Sequence, residues 1–215
     1  MSDAVTLTLT TAPTHTLVAD CIAADRFVGL AAPAIAALAV THGGRPATLG
    51  EFFRVEGERA SVVRIEGDCP QVEAIGTGMA GGELVIEGSV GRDLGLAMRG
   101  GRIDVRGNAG ANAGGAPPGA ARGMTGGEIV VRGNVGDEAG ARIRRGLIVV
   151  TGDAGRGMGK GMIAGTVVVF GKAGPAPGDS SSEDPSSRSA RSSARARSAM
   201  PAPTGPPTSR CCCAT

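Results

Sequence analysis

The 215 residues carry 22 Lys and Arg against 20 Asp and Glu, with 37 Gly, four Phe and neither Trp nor Tyr. Up to Gly174 there are 17 basic and 17 acidic side chains, so the net charge of +2 lies wholly beyond it. A neutral body lacks the basic footprint of a nucleic-acid binder, and a core nearly free of aromatics must be built from aliphatics and Met.

The five cysteines are Cys21, Cys69 and the run Cys211 to Cys213. They show no C-x-x-C pairing and no disulfide-like framework, which fits a reducing compartment. The start, MSDAVTLTLT, lacks the basic-then-apolar order of a signal peptide. The run AAPAIAALAV from Ala31 is too short for a bilayer and is interrupted by Pro33. A soluble, cytoplasmic protein is expected, with neither nucleic acid nor membrane as partner.

In chain order, residues 1–60 do not repeat and read as a small mixed cap over the N-terminal end of a stack of repeats. Val5, Leu7 and Leu9 alternate with Thr6, Thr8 and Thr10, the pattern of a half-buried strand. In DRFVGLAAPAIAALAV, Leu30, Ile35 and Leu38 are placed on one face of a short helix opened near Pro33. HGGRPATLG is expected to be a loop, and FFRVEG a strand leading into the first repeat.

Residues 61–174 are the repeat domain. One phrase returns as GGELVIEGSVG from Gly81, GGRIDVRGNAG from Gly100, GGEIVVRGNVG from Gly126, RGLIVVTGDAG from Arg145 and AGTVVVFGKAG from Ala164. A weaker forerunner, SVVRIEGDC, begins at Ser61. Gly82, Gly101, Gly127, Gly146 and Gly165 are spaced by 19, 26, 19 and 19. The longer interval contains ANAGGAPPGAARG, Ala111 to Gly123, where seven extra residues leave the stack as a loop and a candidate contact site.

Alignment on these glycines puts Leu84, Ile103, Ile129, Ile148 and Val167 in one column and Ile86, Val105, Val131, Val150 and Val169 in another, both facing inward. Glu83, Arg102 and Glu128, and Glu87, Arg106 and Arg132, should face outward. With equivalent residues about 4.8 Å apart, the alternating signs of Glu83, Arg102 and Glu128 form a surface charge ladder worth about 0.2–1 kcal/mol per contact. Two further glycine columns start at Gly88 and Gly91, where the chain turns with positive φ or coils approach closely. Met79, Met98, Met124, Ile143 and Met162 form a core column. The expected fold is all-β: a right-handed parallel β-helix of about 19 residues per coil. Residues 175–215 contain no Val, Ile, Leu or Phe and read as a disordered tail.

No catalytic constellation is visible. Gly76, Gly78 and Gly81 satisfy G-x-G-x-x-G, but no helix opens on the third glycine. GRGMGKGM at Gly155 lacks phosphate-loop spacing, since Lys160 is followed by Gly161. Ile143 replaces Met in one coil, which argues against a metal role for that column. His15 and His42 stand apart from other ligand types in the sequence. Cys69 falls in a small-residue column with Val90 and Ala109, so an inert structural thiol is expected. No catalytic, cofactor-binding or metal-ligating residue is assigned.

The phrase G-G-x-[IL]-x-[IV]-x-G-x-[VA]-G resembles the glycine-rich β-helix of the glutamate synthase large subunit, and more closely the C subunit of formylmethanofuran dehydrogenase. The leader DRFVGLAAPAIAALAVTHGGRPATLGEFFRVEGE, residues 25–58, strengthens the second likeness: a short helix, a small-residue loop at His42 to Arg45, then L-G-E-F-F-R-V-E-G. The resemblance covers residues 3 to 174. It implies a β-helix scaffold subunit with no cofactor on this chain; molybdopterin or tungstopterin and metals would sit on sister subunits, its partners. The assembly implied is either the dehydrogenase, which reduces carbon dioxide onto methanofuran, or the formyltransferase/hydrolase complex of methylotrophic bacteria. The latter takes formyl groups from tetrahydromethanopterin and releases formate. A composition rich in Ala, Gly and Arg leans toward the bacterial complex. A free-standing relative of the glutamate synthase domain and a β-helix enzyme remain as alternatives.

In the family the repeats run on past the position of Gly174, whereas here they stop. The tail reads either as the product of a frameshift near Pro175 or as a divergent sequence. Resequencing the locus should reveal a shifted frame that restores the repeat; an intact gene with no such frame overturns the frameshift.

Overall fold

Aliphatic residues two apart, bracketed by glycines, form the same four-residue strand in coil after coil. These strands are β8 (Glu83–Ile86), β9 (Arg102–Val105), β10 (Glu128–Val131), β11 (Leu147–Val150) and β12 (Thr166–Val169), preceded by β6 (Val62–Glu66). The computed structural model describes residues 4–57, 60–175 and 178. It pairs these six strands in parallel, in the order β12-β11-β10-β9-β8-β6. Leu84 lies opposite Ile103, Ile103 opposite Ile129, Ile129 opposite Ile148 and Ile148 opposite Val167, as the aligned columns require. Glu128 lies opposite Arg102, so the longer interval leaves the register intact. A second line of parallel bridges joins Cys69, Val90, Ala109, Val135, Ala154 and Ala173 in succession. Each repeat is thus one coil that touches its predecessor along two lines.

The inward columns are fully buried from Leu84 and Ile86 through Ile148 and Val150, while Val167 and Val169, on the outermost strand, are only half-buried. Met79, Met98, Met124 and Ile143 are also fully buried. Their position explains the glycine column that anchors the alignment. At Gly127 (φ +88°) an added Cβ would stand 2.8 Å from the Met98 methyl and 2.9 Å from the Gly101 carbonyl oxygen, so both backbone conformation and space demand glycine. The strand-end glycines answer to close approach alone: a Cβ on Gly107 would stand 2.6 Å from the Gly88 carbonyl carbon and the Ser89 nitrogen.

A polar ladder also joins the coils, in a column that the aliphatic pattern does not announce. Asp68 Oδ1 accepts the Ser89 amide at 2.8 Å, and Ser89 Oγ accepts that of Asn108 at 3.3 Å. Asn108 Oδ1 accepts Asn134, Asn134 Oδ1 accepts Asp153 and Asp153 Oδ1 accepts Lys172, all at 2.7–2.8 Å. Each short side chain satisfies a backbone donor of the next coil. Lys172 carries no acceptor to hand on.

The N-terminal residues extend the sheet. β1 (Val5–Leu9) pairs in parallel with β6, and β5 (Phe53–Glu56) adds antiparallel to β1 as the outermost strand. A second sheet has the order β4-β3-β2-β7, from β2 (Leu17–Val18), β3 (Ala39–His42), β4 (Arg45–Thr48) and β7 (Val72–Glu73). Both sheets mix parallel and antiparallel pairing, and the described residues are mostly strand and irregular turn with two short helices.

Two expectations for the cap are corrected. The stretch HGGRPATLG is not a loop: β3 and β4 form a hairpin with His42 opposite Arg45, turning through Gly43 (φ +55°) and Gly44 (φ +80°). Two glycines in the left-handed region make the turn that matches strand twist, and Pro46 is tolerated because β4 is a sheet edge. The short helix does open near Pro33, as α2 (Ala32–Ala36), and a further helix, α1 (Ala24–Phe27), precedes it across Gly29 (φ +83°). Ile35 is buried on α2, but Leu30 and Leu38 lie outside the helices and are only partly buried. In the leader, Glu51 accepts the Thr48 amide at 2.8 Å and its hydroxyl at 2.9 Å, capping one tight turn before β5. Apart from Pro175 and Gly178, the expected tail lies outside the described residues, as do Cys211 to Cys213.

The two coil-to-coil devices differ in strength. Gly107→Ala should destabilise the protein by roughly 2 kcal/mol or more, since only backbone can yield, whereas Asn134→Ala should remove about 1 kcal/mol, one hydrogen bond. Urea unfolding of both variants checks this; a neutral Gly107→Ala would refute the close-approach account.

Candidate functional site

Hydrogen bonds locate the seven extra residues. The amides of Met79, Met98, Ile143 and Met162 donate to Gly76, Gly95, Gly140 and Gly159, each three positions earlier, but Met124 donates to Gly114. The insertion is therefore residues 116–122. Ala111 to Gly115 stay in the stack, which narrows the expected loop; Asn112 Nδ2 donates to Asp93 Oδ1 of the previous coil at 2.8 Å. Between the inserted residues Ala116 to Gly119 and the neighbouring turns lies an open cleft of about 760 Å³. Its cations already have oxygen partners: Arg92 with Asp93 at 3.6 Å, Arg156 with Asp137 at 3.9 Å, Lys160 with Glu138 at 2.8 Å, and Arg142 donating to the Ala120 carbonyl at 2.7 Å. Such a cleft suits polar contact with another surface better than capture of an anion.

The glycine motifs hold no phosphate cradle. In G-x-G-x-x-G, the Gly76 amide donates to Ile22 and the Gly78 amide to Leu96, so the backbone donors a phosphate would need are engaged. In GRGMGKGM, Gly157 and Gly159 donate to Pro175 and Ala139.

His15 and His42, apart in sequence, meet in space. Their ring centroids are 5.6 Å apart, the His15 amide donates to His42 Nε2 at 3.3 Å, and the His42 ring packs on Phe52. The antiparallel pairing of β2 with β3 brings them together, a contact no local spacing announces. Among the described residues, no group of three or more His, Cys, Asp and Glu is placed to hold a metal ion. Cys69 and Cys21 are both buried, and burial pushes each thiol up to about 11, with Asp68 and Asp20 adding to the rise. Both are protonated at neutral pH and suit packing, not nucleophilic attack.

The outer face of the large sheet carries the expected ladder. Arg102 lies 3.9 Å from Glu83 and 3.0 Å from Glu128, and Arg106 lies 3.1 Å from Glu87, which Arg64 also contacts. Arg132 departs from simple column order. It reaches diagonally to Asp104, forming two hydrogen bonds of 2.9 and 3.0 Å. Asp104 is only 8% exposed, in a column that also holds Arg64, Val85, Val130, Val149 and Val168. The guanidinium of Arg132 holds its carboxyl below the usual aspartate range.

The fold and its faces define a stacked-coil protein with a polar cleft and a ladder-bearing sheet face. No family model matches the chain. It is similar in sequence to the C subunits of formylmethanofuran dehydrogenases. The C subunit of the molybdenum-containing formylmethanofuran dehydrogenase 1 of Methanothermobacter marburgensis is 41% identical over 81 residues, 37% of this chain and 20% of the relative. The same-named protein of Methanosarcina barkeri is 40% identical over 80 residues, 35% of this chain and 27% of the relative. The C subunit of the tungsten-containing formylmethanofuran dehydrogenase 2 of Methanothermobacter wolfeii is 33% identical over 76 residues, 33% and 28% of the two chains. The matched stretch thus spans about a fifth to a quarter of the length of these curated relatives. In structure the chain is similar to a chain of the formyltransferase/hydrolase complex (FhcABCD) from Methylorubrum extorquens, solved with methylofuran. That match has a TM-score of 0.60 and 29% identity, covering 79% of this chain and 77% of that one. The likeness to glutamate synthase finds no support among these relatives.

The Asp104–Arg132 pair has a pH signature. Because the folded state lowers the Asp104 pKa, its stabilisation is fully present above the unfolded value near 3.9 and is lost as pH falls through the lower folded value. Asp104→Asn should lower the melting temperature at pH 7, and the gap from wild type should close on acidification below about pH 3.9. A gap unchanged at low pH would show that the pair does not carry this linkage.

Proposed function

We propose that this chain is the non-catalytic scaffold, the C subunit, of a formyl-processing complex of the formylmethanofuran dehydrogenase or formyltransferase/hydrolase kind. The observation that carries this reading is the overlap, across about four-fifths of the chain, with one chain of the formyltransferase/hydrolase complex. The stack is read as a right-handed parallel β-helix, with residues 1–60 as its cap and residues 61–174 as its body.

Its chemistry is consistent with scaffolding. On the outer face of the large sheet the ladder charges are paired across coils, and the buried thiols are held protonated. The donor set does not fit a molybdenum or tungsten ligand sphere: the two described cysteines are buried and the histidine pair has no third ligand among the described residues. Any such metal and its pterin belong to sister subunits in this reading. The chain's part is to hold partners in register, from a cytoplasmic location, on faces whose rows are fixed by the pairing of successive coils.

Expression with the other subunits from its own source tests this. The chain should purify with them in a fixed ratio, while the isolated chain shows no formyl transfer or formate release. An isolated chain with that activity, or one that never enters the complex, would defeat the proposal.

A further inference from the structure

The segment that closes each coil, running through the Met column toward the next strand, is basic in successive coils. It reads LAMRG from Leu96, ARGMTG from Ala121, ARIRRG from Ala141 and KGMIAG from Lys160, with no Asp or Glu in any of them. The Thr125 amide donates to the Met98 carbonyl and the Arg144 amide to that of Met124, at 2.8 and 2.9 Å. Likewise the Gly123 amide donates to the Arg142 carbonyl at 2.9 Å, and the Arg142 amide to that of Lys160 at 2.8 Å. Stacking therefore lays Arg99, Arg122, Arg142, Arg144, Arg145 and Lys160 in one band along the molecule.

The body up to Gly174 is neutral, so this band is a local separation of charge. On the sheet face Arg64, Arg102, Arg106 and Arg132 each meet a carboxylate. Among the described residues no carboxylate pairs with Arg99, Arg122, Arg142, Arg144 or Arg145. Only Lys160 of the band is paired, with Glu138, and Arg142 reaches no more than the neutral Ala120 carbonyl. Asp25, whose carboxylate accepts the Ala80 amide at 3.0 Å, lies beyond Ala80 on the side away from Arg99. Arg99, Arg122, Arg142 and Arg145 are exposed. Arg144 is half-buried, and its Nε–H meets no acceptor among the described residues. Like charges held on neighbouring coils repel, and an anionic surface laid across them removes that cost.

The arrangement selects among anions. The band crosses four coils, three steps of about 4.8 Å, and so runs roughly 14 Å over open surface. The neighbouring cleft takes in only Arg142 and Lys160 of its members, so no small anion is enclosed by the rest. None of the four stretches contains an aromatic side chain, the platform on which nucleic-acid bases stack. Acidic side chains one turn apart on a helix stand about 5–6 Å from each other, close to the step between coils. The guanidinium fork pairs with such carboxylates through two parallel hydrogen bonds.

We propose that this band docks an acidic helix face of another subunit, whose carboxylates pair with Arg99, Arg144 and Arg145. This rests on reading the chain as a subunit of a multi-protein complex.

The test uses the full chain expressed with its sister subunits. Arg99→Glu combined with Arg145→Glu should lower recovery in the complex about tenfold or more, since like charges then face each other. Arg54→Glu, an exposed reversal on the cap, should stay within about twofold. Melting of the isolated variants confirms that they fold. Arg145→Lys keeps the charge and should keep recovery; in that complex, carbodiimide should link the new amine to an Asp or Glu of a sister subunit, located by peptide mapping. Recovery of the double reversal at the wild-type level would overturn the inference and leave the subunit reading intact. Equal losses from Arg54→Glu would also overturn it, as a general effect of charge. Binding of a single-stranded DNA oligonucleotide by the free chain, abolished by the double reversal while recovery is unchanged, would overturn it in favour of nucleic acid. Failure of the wild-type chain to join any sister subunit would overturn the subunit reading, and this docking band with it.

Discussion

Everything in this molecule depends on how closely one coil lies on the next. Parallel strands sit about 4.8 Å apart, and at the corners the backbones of successive coils come nearer than any side chain permits. At Gly107 a single added carbon would strike the Gly88 carbonyl carbon and the Ser89 nitrogen. Once glycine admits that approach, the amides released at each corner need acceptors, and Asp68, Ser89, Asn108, Asn134 and Asp153 supply them to the coil beyond. The Met column fills the space beneath a second set of glycines, Gly101, Gly127 and Gly146, which is why those two columns occur together. Glycine, short polar acceptor and flexible hydrophobe are three answers to one distance.

That spacing also limits what the surface can do. On the large sheet, outward side chains stand in fixed rows, so charges meet opposite charges in adjacent coils and neutralise locally. The result is a body whose faces differ in character. Such a body suits holding other proteins apart or together. The seven inserted residues leave at a corner, where Met124 can still close its hydrogen bond to Gly114, so the cleft they form does not disturb the sheet.

Legibility in the sequence tracks the period. The inward columns, the Met column and the register across the insertion are readable because each coil repeats the same local rule, and six copies average out the exceptions. Non-repeating residues are harder to read. The polar composition of HGGRPATLG masks a hairpin whose two-glycine turn is itself a signal. Leu30 and Leu38 flank the helix that opens near Pro33 instead of lying on it, and are only partly buried. His15 and His42 meet only because β2 pairs with β3.

The sequence by itself determined the architecture of the coils: residue type at each column dictates strand, corner or core wherever the period holds, because every coil meets the same neighbours. Only the tertiary structure decided the contacts between unlike segments. Asp104 bonds Arg132 along a diagonal, β1 and β5 continue the sheet beyond the first coil, and Phe170 is left exposed just past β12. Those contacts join residues whose spacing carries no period, so chain folding in three dimensions, and not any local rule, brings them together.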